Sequence, residues 1–299
     1  MGGGVSRQEV DAGVEAFGLR RHFSTEPLEG TSLDGMTLAE ALLREYYGTW
    51  CRTEQPGSAD GARQDGQKRP ACQCEPKRRD RGRPHPGPYV GASWDEFVTE
   101  AAPDQDPYCF TVRDLYSSSL LSAEIPAVAG LALLRDALPD GERSFAELLS
   151  AVPADTALVV ADEDDVEAGL ALFTAVRAVD KIGPTKASKL IAAKRPALFP
   201  VLDAVVRRQL PKQVQDEQRF MPFFQGILLA ELTDGTPVHR QLDMLREKTG
   251  LPEAVTTLRA LDVLLWMDNR NGAEPDPQTG AKSTVERCLR GLTADASTG

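Results

Sequence analysis

The chain lacks any apolar run of about 18 residues, so no membrane-spanning helix is expected. It has only three histidines in 299 residues, and its five cysteines (Cys51, Cys72, Cys74, Cys109, Cys288) are scattered and odd in number, which argues against a disulfide framework. Cys72 and Cys74 stand as C-Q-C, with His85 eleven residues on, and this is not the C-x2-C spacing of a zinc site. Neither a metal nor a cofactor is expected. His22 and His239 stand alone and are expected at the surface. The opening MGGGVSRQEV lacks the apolar stretch of a secretory signal, so a cytoplasmic location is expected. Residues 52–88 contain no Leu, Ile, Val or Phe; such a segment cannot bury a core and reads as a disordered basic insertion. Residues 1–35 are Gly-rich and weakly patterned, so little order is expected there.

What is present is acid, and its distribution matters more than its total. The formal charge of −11 opposes general nucleic-acid binding, because phosphate neutralisation supplies most non-specific affinity. Residues 91–180 carry 4 basic and 18 acidic side chains, whereas residues 181–212 carry 8 basic groups against the single acid Asp203. The one strongly basic island outside the insertion is therefore 32 residues long.

Helical signals dominate. The pattern Thr37-Leu38-Ala39-Glu40 reads as a capping box opening a helix through Trp50, and Thr111 to Asp114 and Ser144 to Glu147 repeat that signature. Pro126 should sit in the first turn of a helix reading PAVAGLALLRDAL. ALVVA at residues 157–161 reads as a short strand, and the four acids from Asp162 to Asp165 suit the start of a helix through Ala178. Further helices are expected at about 218–232, 237–249 and 253–268; the last, containing LRALDVLLWMD, is apolar on nearly every face and should be central. The expected organisation is an N-terminal segment (1–51) with one helix on the core, the insertion (52–88), an all-α domain (89–268) and a loop with a flexible tail (269–299).

Residues 166–208 read as helix, tight turn KIGP, helix TKASKLIAAKRP, then PVLDAVVRR. Gly183 is expected to supply a turn conformation closed to other residues, and Pro184 suits the start of the next helix. The turn would aim the amides of Thr185, Lys186 and Ala187 outward, and a helix N-terminus with free N–H groups suits a phosphate. KIGPTKASKL resembles the hairpin of helix-hairpin-helix proteins, especially the DNA glycosylase superfamily with its G-[IV]-G-x-x-[TA]-A core. PVLDAVVRR is similar to that superfamily's V-D-x-x-V-x-R segment, and 20 residues separate Gly183 from Asp203, as they separate its hairpin glycine and catalytic aspartate. The stretch also resembles an uncharacterised bacterial family with GPxxASKLLAxKRPxLxPVYDxVV and a terminal LDVxLWM.

The resemblance implies an all-α, glycosylase-like helical domain that grips a DNA phosphate backbone through Lys181, Gly183, Thr185, Lys186, Ala187, Lys189, Arg207 and Arg208, with Asp203 as the candidate catalytic residue. Lys181 replaces the first hairpin glycine, Thr185 occupies the place of the Schiff-base lysine, and Val205 that of a frequent histidine. No four-cysteine motif for an iron–sulfur cluster appears near the C-terminus. Any base excision would therefore be monofunctional. Asp203 also has a purely local reading, as a first-turn acid paired with Arg207. The alternative function is a non-catalytic helical protein that binds a protein partner or regulates one. Trp94, Phe97, Phe220, Phe223, Phe224 and Trp266 are candidates for a base-stacking pocket, but their helical spacing reads them first as core. Metal chelation by Asp162 to Asp165 is the poorest reading, because adjacent acids converge badly on one ion.

Overall fold

A computed structural model describes residues 5–28, 34–48, 89–100, 105–136, 138, 143–212, 214–215 and 219–269. The expected insertion and tail, and Cys51, Cys72, Cys74 and Cys288, lie outside the described residues. Within them the chain is helical: α1 (Arg7–Ala16), α2 (Leu19–His22), α3 (Gly35–Tyr47), α4 (Ala92–Thr99), α5 (Val112–Leu120), α6 (Ala127–Leu134), α7 (Phe145–Ala151), α8 (Glu163–Ala178), α9 (Pro184–Lys194), α10 (Ala204–Arg207), α11 (Phe220–Leu229), α12 (Val238–Thr249) and α13 (Thr257–Asn269). None of these helices is long and apolar enough to cross a membrane.

Reciprocal capping explains where several helices begin. Ser6 with Glu9, Thr111 with Asp114, Ser144 with Glu147 and Asp162 with Asp165 each satisfy the free amides of a first turn from both sides. The first of these opens α1 inside the stretch where little order was expected, and α1 packs on α11. For α3 the cap is Asp34 rather than Thr37: its carboxylate accepts from Thr37 N at 2.7 Å, and the helix starts two residues before the threonine. Pro126 is likewise the cap of α6, extended at ψ 141°, and not a first-turn residue. ALVVA forms a single 3-10 turn over Leu158–Val160. Among the described residues no strand lies beside it to pair with, and its ties outside the turn are Leu158 N to Ala197 O at 2.9 Å and Gln225 Nε2 to Ala161 O at 2.7 Å.

α13 is the axis of the assembly. It packs on α3, α10 and α12, and Leu258, Leu261, Val263, Leu264, Leu265 and Met267 are buried around its whole circumference. His22 is fully buried rather than at the surface, with Nε2 at 3.4 Å from Asp268 Oδ2 on α13. His239 is half-buried, with Nδ1 at 2.9 Å from Leu228 O. Trp94, Phe220, Phe223 and Phe224 are buried as core residues, whereas Trp266 is only partly covered. On the other flank α9 packs against both α5 and α8, which carries it deep into the molecule.

Candidate functional site

The turn between α8 and α9 inverts the expected use of its residues. Lys181, not Gly183, adopts the left-handed conformation (φ 64°), at the third position of a four-residue turn closed by Ile182 N to Val179 O at 3.1 Å. That position favours glycine, because a Cβ there is strained. Gly183 is extended (φ −86°, ψ 176°) and caps α9, and a Cβ built on it meets nothing within 4 Å. Lys181 and Gly183 are exposed; Lys186 is half-buried as a residue, and its exposed ammonium donates to Lys181 O at 3.4 Å. Ala187 does not aim outward: it is fully buried and its amide is spent on Gly183 O.

The first turn of α9 is sewn to the segment before α10. Thr185 Oγ1 donates to Leu202 O at 3.1 Å, and Ser188 Oγ accepts from Leu202 N at 3.0 Å. These bonds place Asp203 beside Thr185. Asp203 Oδ1 accepts from Val205 N (2.7 Å) and Val206 N (2.9 Å), so the carboxylate caps α10 instead of pairing with Arg207. Thr185, Lys189 and Asp203 then share the lining of a cavity of about 470 Å³, closed on its far side by residues of α13 and by Tyr46 and Tyr89. Tyr46 and Tyr89 stack with centroids 5.4 Å apart, and Trp266 stands edge-on to both.

Charge in this cavity is balanced by α13. Arg259 is buried and spends its guanidinium in four directions: on Asp95 (3.3 Å), Asp262, Tyr46 Oη (2.7 Å) and Gly91 O (3.2 Å). Burial, with Asp203 adding to it, pushes the Asp262 carboxyl up to about 7 against the pull of Arg259 and Lys189. Burial also raises the Asp95 carboxyl and lowers the Lys189 ammonium. Arg259 and Asp262 were not picked out from the sequence. Their signal was there in LRALDVLLWMD, where two charges three residues apart interrupt a helix with no polar face.

The rest of the basic island divides sharply. Lys189 is buried and donates to Leu121 O at 2.6 Å. Lys194 is buried against Asp114 (2.5 Å) and Asp106 O (2.7 Å). Arg195, fully enclosed, donates to Val152 O, Pro107 O, Lys194 O and Leu149 O. Lys181, Arg208 and Lys212 are exposed, while Lys186 and Arg207 are half-buried.

The chain matches the family described as "Family of unknown function (DUF6308)" over residues 78–269, more than half of its length. It belongs to that family. No curated protein and no solved structure matches it. The matched span covers α4 to α13, so both walls of the cavity except Tyr46 fall inside the DUF6308 region.

Proposed function

We propose that this DUF6308 chain binds DNA through a helix-hairpin-helix-like element formed by α8, the turn and α9, with a glycosylase-like pocket behind it and Asp203 as its catalytic candidate. One observation supports the reading: Thr185 and Asp203, which stand in the places of the glycosylases' Schiff-base lysine and catalytic aspartate, line one cavity. Lys181 and Arg208 are exposed and Lys186 and Arg207 half-exposed, within reach of phosphates, and Gly183 caps α9 without a side chain in the way. Lys189 and Ala187, by contrast, are interior and drop out of the phosphate contact. If two contacts are made by Lys181 and Lys186, replacing both by alanine flattens the salt dependence of duplex binding by a slope of about 1.8, at roughly 0.9 per contact. An unchanged slope, or no duplex binding at low salt, overturns the grip. For chemistry, Asp203→Asn keeps the helix cap but loses the charge, and release of a damaged base from a duplex falls by about 100-fold or more.

A second reading, a non-catalytic protein that binds a partner, draws on the interior position of Lys189, Lys194 and Arg195, which reduces the positive surface of an acidic chain. It also draws on Val112, Tyr116, Val128 and Leu131, which leave apolar surface on α5 and α6 exposed.

A further inference from the structure

The cavity holds more hydrogen-bonding capacity than the protein uses. Asp262 gives one carboxylate oxygen to Arg259, and among the described residues its other oxygen accepts nothing. Asp203 gives Oδ1 to two amides, and its Oδ2 likewise accepts nothing. Lys189 has three N–H donors when charged and spends one, on Leu121 O. With Asp262 ionised, as it is above about pH 7, two acceptors and a donor therefore face one space, and a ligand that fits brings N–H donors to the carboxylates and an acceptor to the ammonium. The three rings at the wall favour a flat partner. The lining carries two cations, Lys189 and Arg259, and two carboxylates, Asp203 and Asp262, so its charge is balanced and a neutral ligand suits it.

We propose that the cavity is a binding site for a planar heterocycle with a guanine-type edge, in which adjacent ring N–H and exocyclic amino donors meet Asp203 and Asp262 and the ring carbonyl meets Lys189. A 2-amino-6-oxopurine provides that set of donors and acceptor. Its hypoxanthine analogue lacks the amino donor, and adenine lacks the carbonyl and the ring N–H. The volume of about 470 Å³ accommodates a purine nucleoside. The site stands independently of the phosphate grip: a free nucleoside and a guanine base within a nucleic acid present the same edge.

Full-length protein is titrated with guanosine, inosine and adenosine, following heat and the fluorescence of the chain's tryptophans. Guanosine is expected to bind at least about 10-fold tighter than inosine and adenosine, because each lost hydrogen bond leaves a buried acceptor or donor unpaired. A single-stranded oligonucleotide containing one dG, compared with the same strand containing deoxyinosine, identifies the source: preference in the nucleoside arm, the oligonucleotide arm or both supports the site. Asp262→Leu, which leaves no acceptor, is expected to abolish the preference for guanosine over inosine. Because that residue is buried, Ala204→Phe serves as the second variant; Ala204 is exposed on α10 and lines the cavity, so the ring blocks entry without disturbing the core. Guanosine binding that survives Ala204→Phe at equal affinity places the ligand elsewhere and overturns the proposal. So does equal affinity for guanosine and inosine, or the absence of binding in both arms. The variant carrying Lys181→Ala and Lys186→Ala separates the two readings, since it weakens duplex binding and leaves guanosine affinity unchanged.

Discussion

The two halves of the basic island were indistinguishable as composition and are opposites as structure. Lys181 and Lys186 stand at the turn where α8 hands over to α9, within reach of solvent; Lys189, Lys194 and Arg195, a few residues on, are packed inside and answered by carbonyls and Asp114. The difference lies in the neighbours. From Ala187 to Lys194 every residue of α9 is buried, because α5 and α8 close on it, and a cation in such a helix must find acceptors in the interior. A run of positive charge is thus a surface patch only where the helix carrying it has a free face.

The sharpest way to break this comparison is Arg195→Ala. Removing the guanidinium strands four carbonyls away from water, and a loss of about 3–5 kcal/mol is expected, seen as a fall of roughly 10 °C in the thermal midpoint. The variant carrying Lys181→Ala and Lys186→Ala should stay within about 0.5 kcal/mol of the parent protein. Similar midpoints for both would mean that Arg195 is not interior.

Asp262 offers a test that needs no ligand. Its folded-state value near 7 lies above the ordinary 3.8, so the native state holds a proton that the unfolded chain has released. Stability is therefore expected to decline as pH rises from about 4 to 7, by an amount on the order of a few kcal/mol, and to level off above. Asp262→Asn removes that slope. A denaturation series between pH 4 and 8 reads it, and identical slopes in both proteins would show that Arg259 keeps Asp262 ionised throughout.

The smallest effects belong to the turn. Lys181→Gly relieves the strain of a left-handed non-glycine residue and should stabilise the chain by up to about 1 kcal/mol. Gly183→Val, at an extended residue with open space around its Cβ position, should change stability by less than about 1 kcal/mol. A large loss on Gly183→Val would restore the turn role that the sequence pattern assigned to it.

Much of the local architecture was legible in advance. Thr111 with Asp114, Ser144 with Glu147 and the acids from Asp162 mark helix starts because capping is a contact between near neighbours in the chain. The all-round apolar string of α13 marks a central helix for the same local reason. The start of α3 was misplaced because Asp34 and Thr37 offer competing caps three residues apart, and ALVVA was misread because apolar β-branched residues report burial without saying what lies beside them. His22 was unreadable: α2 is covered by α1 and α3, and the imidazole faces Asp268 on α13, almost the whole described chain away.

The functional candidates divide along the same line. The amino-acid sequence alone determined that the chain is helical, that residues 166–208 carry a helix, a turn and a second helix with Asp203 twenty residues after Gly183, and that basic charge concentrates between residues 181 and 212, since each of these depends on order along the chain. Only the tertiary structure decided that Lys189, Lys194 and Arg195 turn inward, that Lys181 and not Gly183 bears the strained conformation, and that Asp203 and Lys189 meet Arg259, Asp262 and the rings of Tyr46, Tyr89 and Trp266 around one cavity. Those outcomes rest on long-range packing of α3, α9, α10 and α13, where burial and desolvation set both the direction of a side chain and the charge it carries.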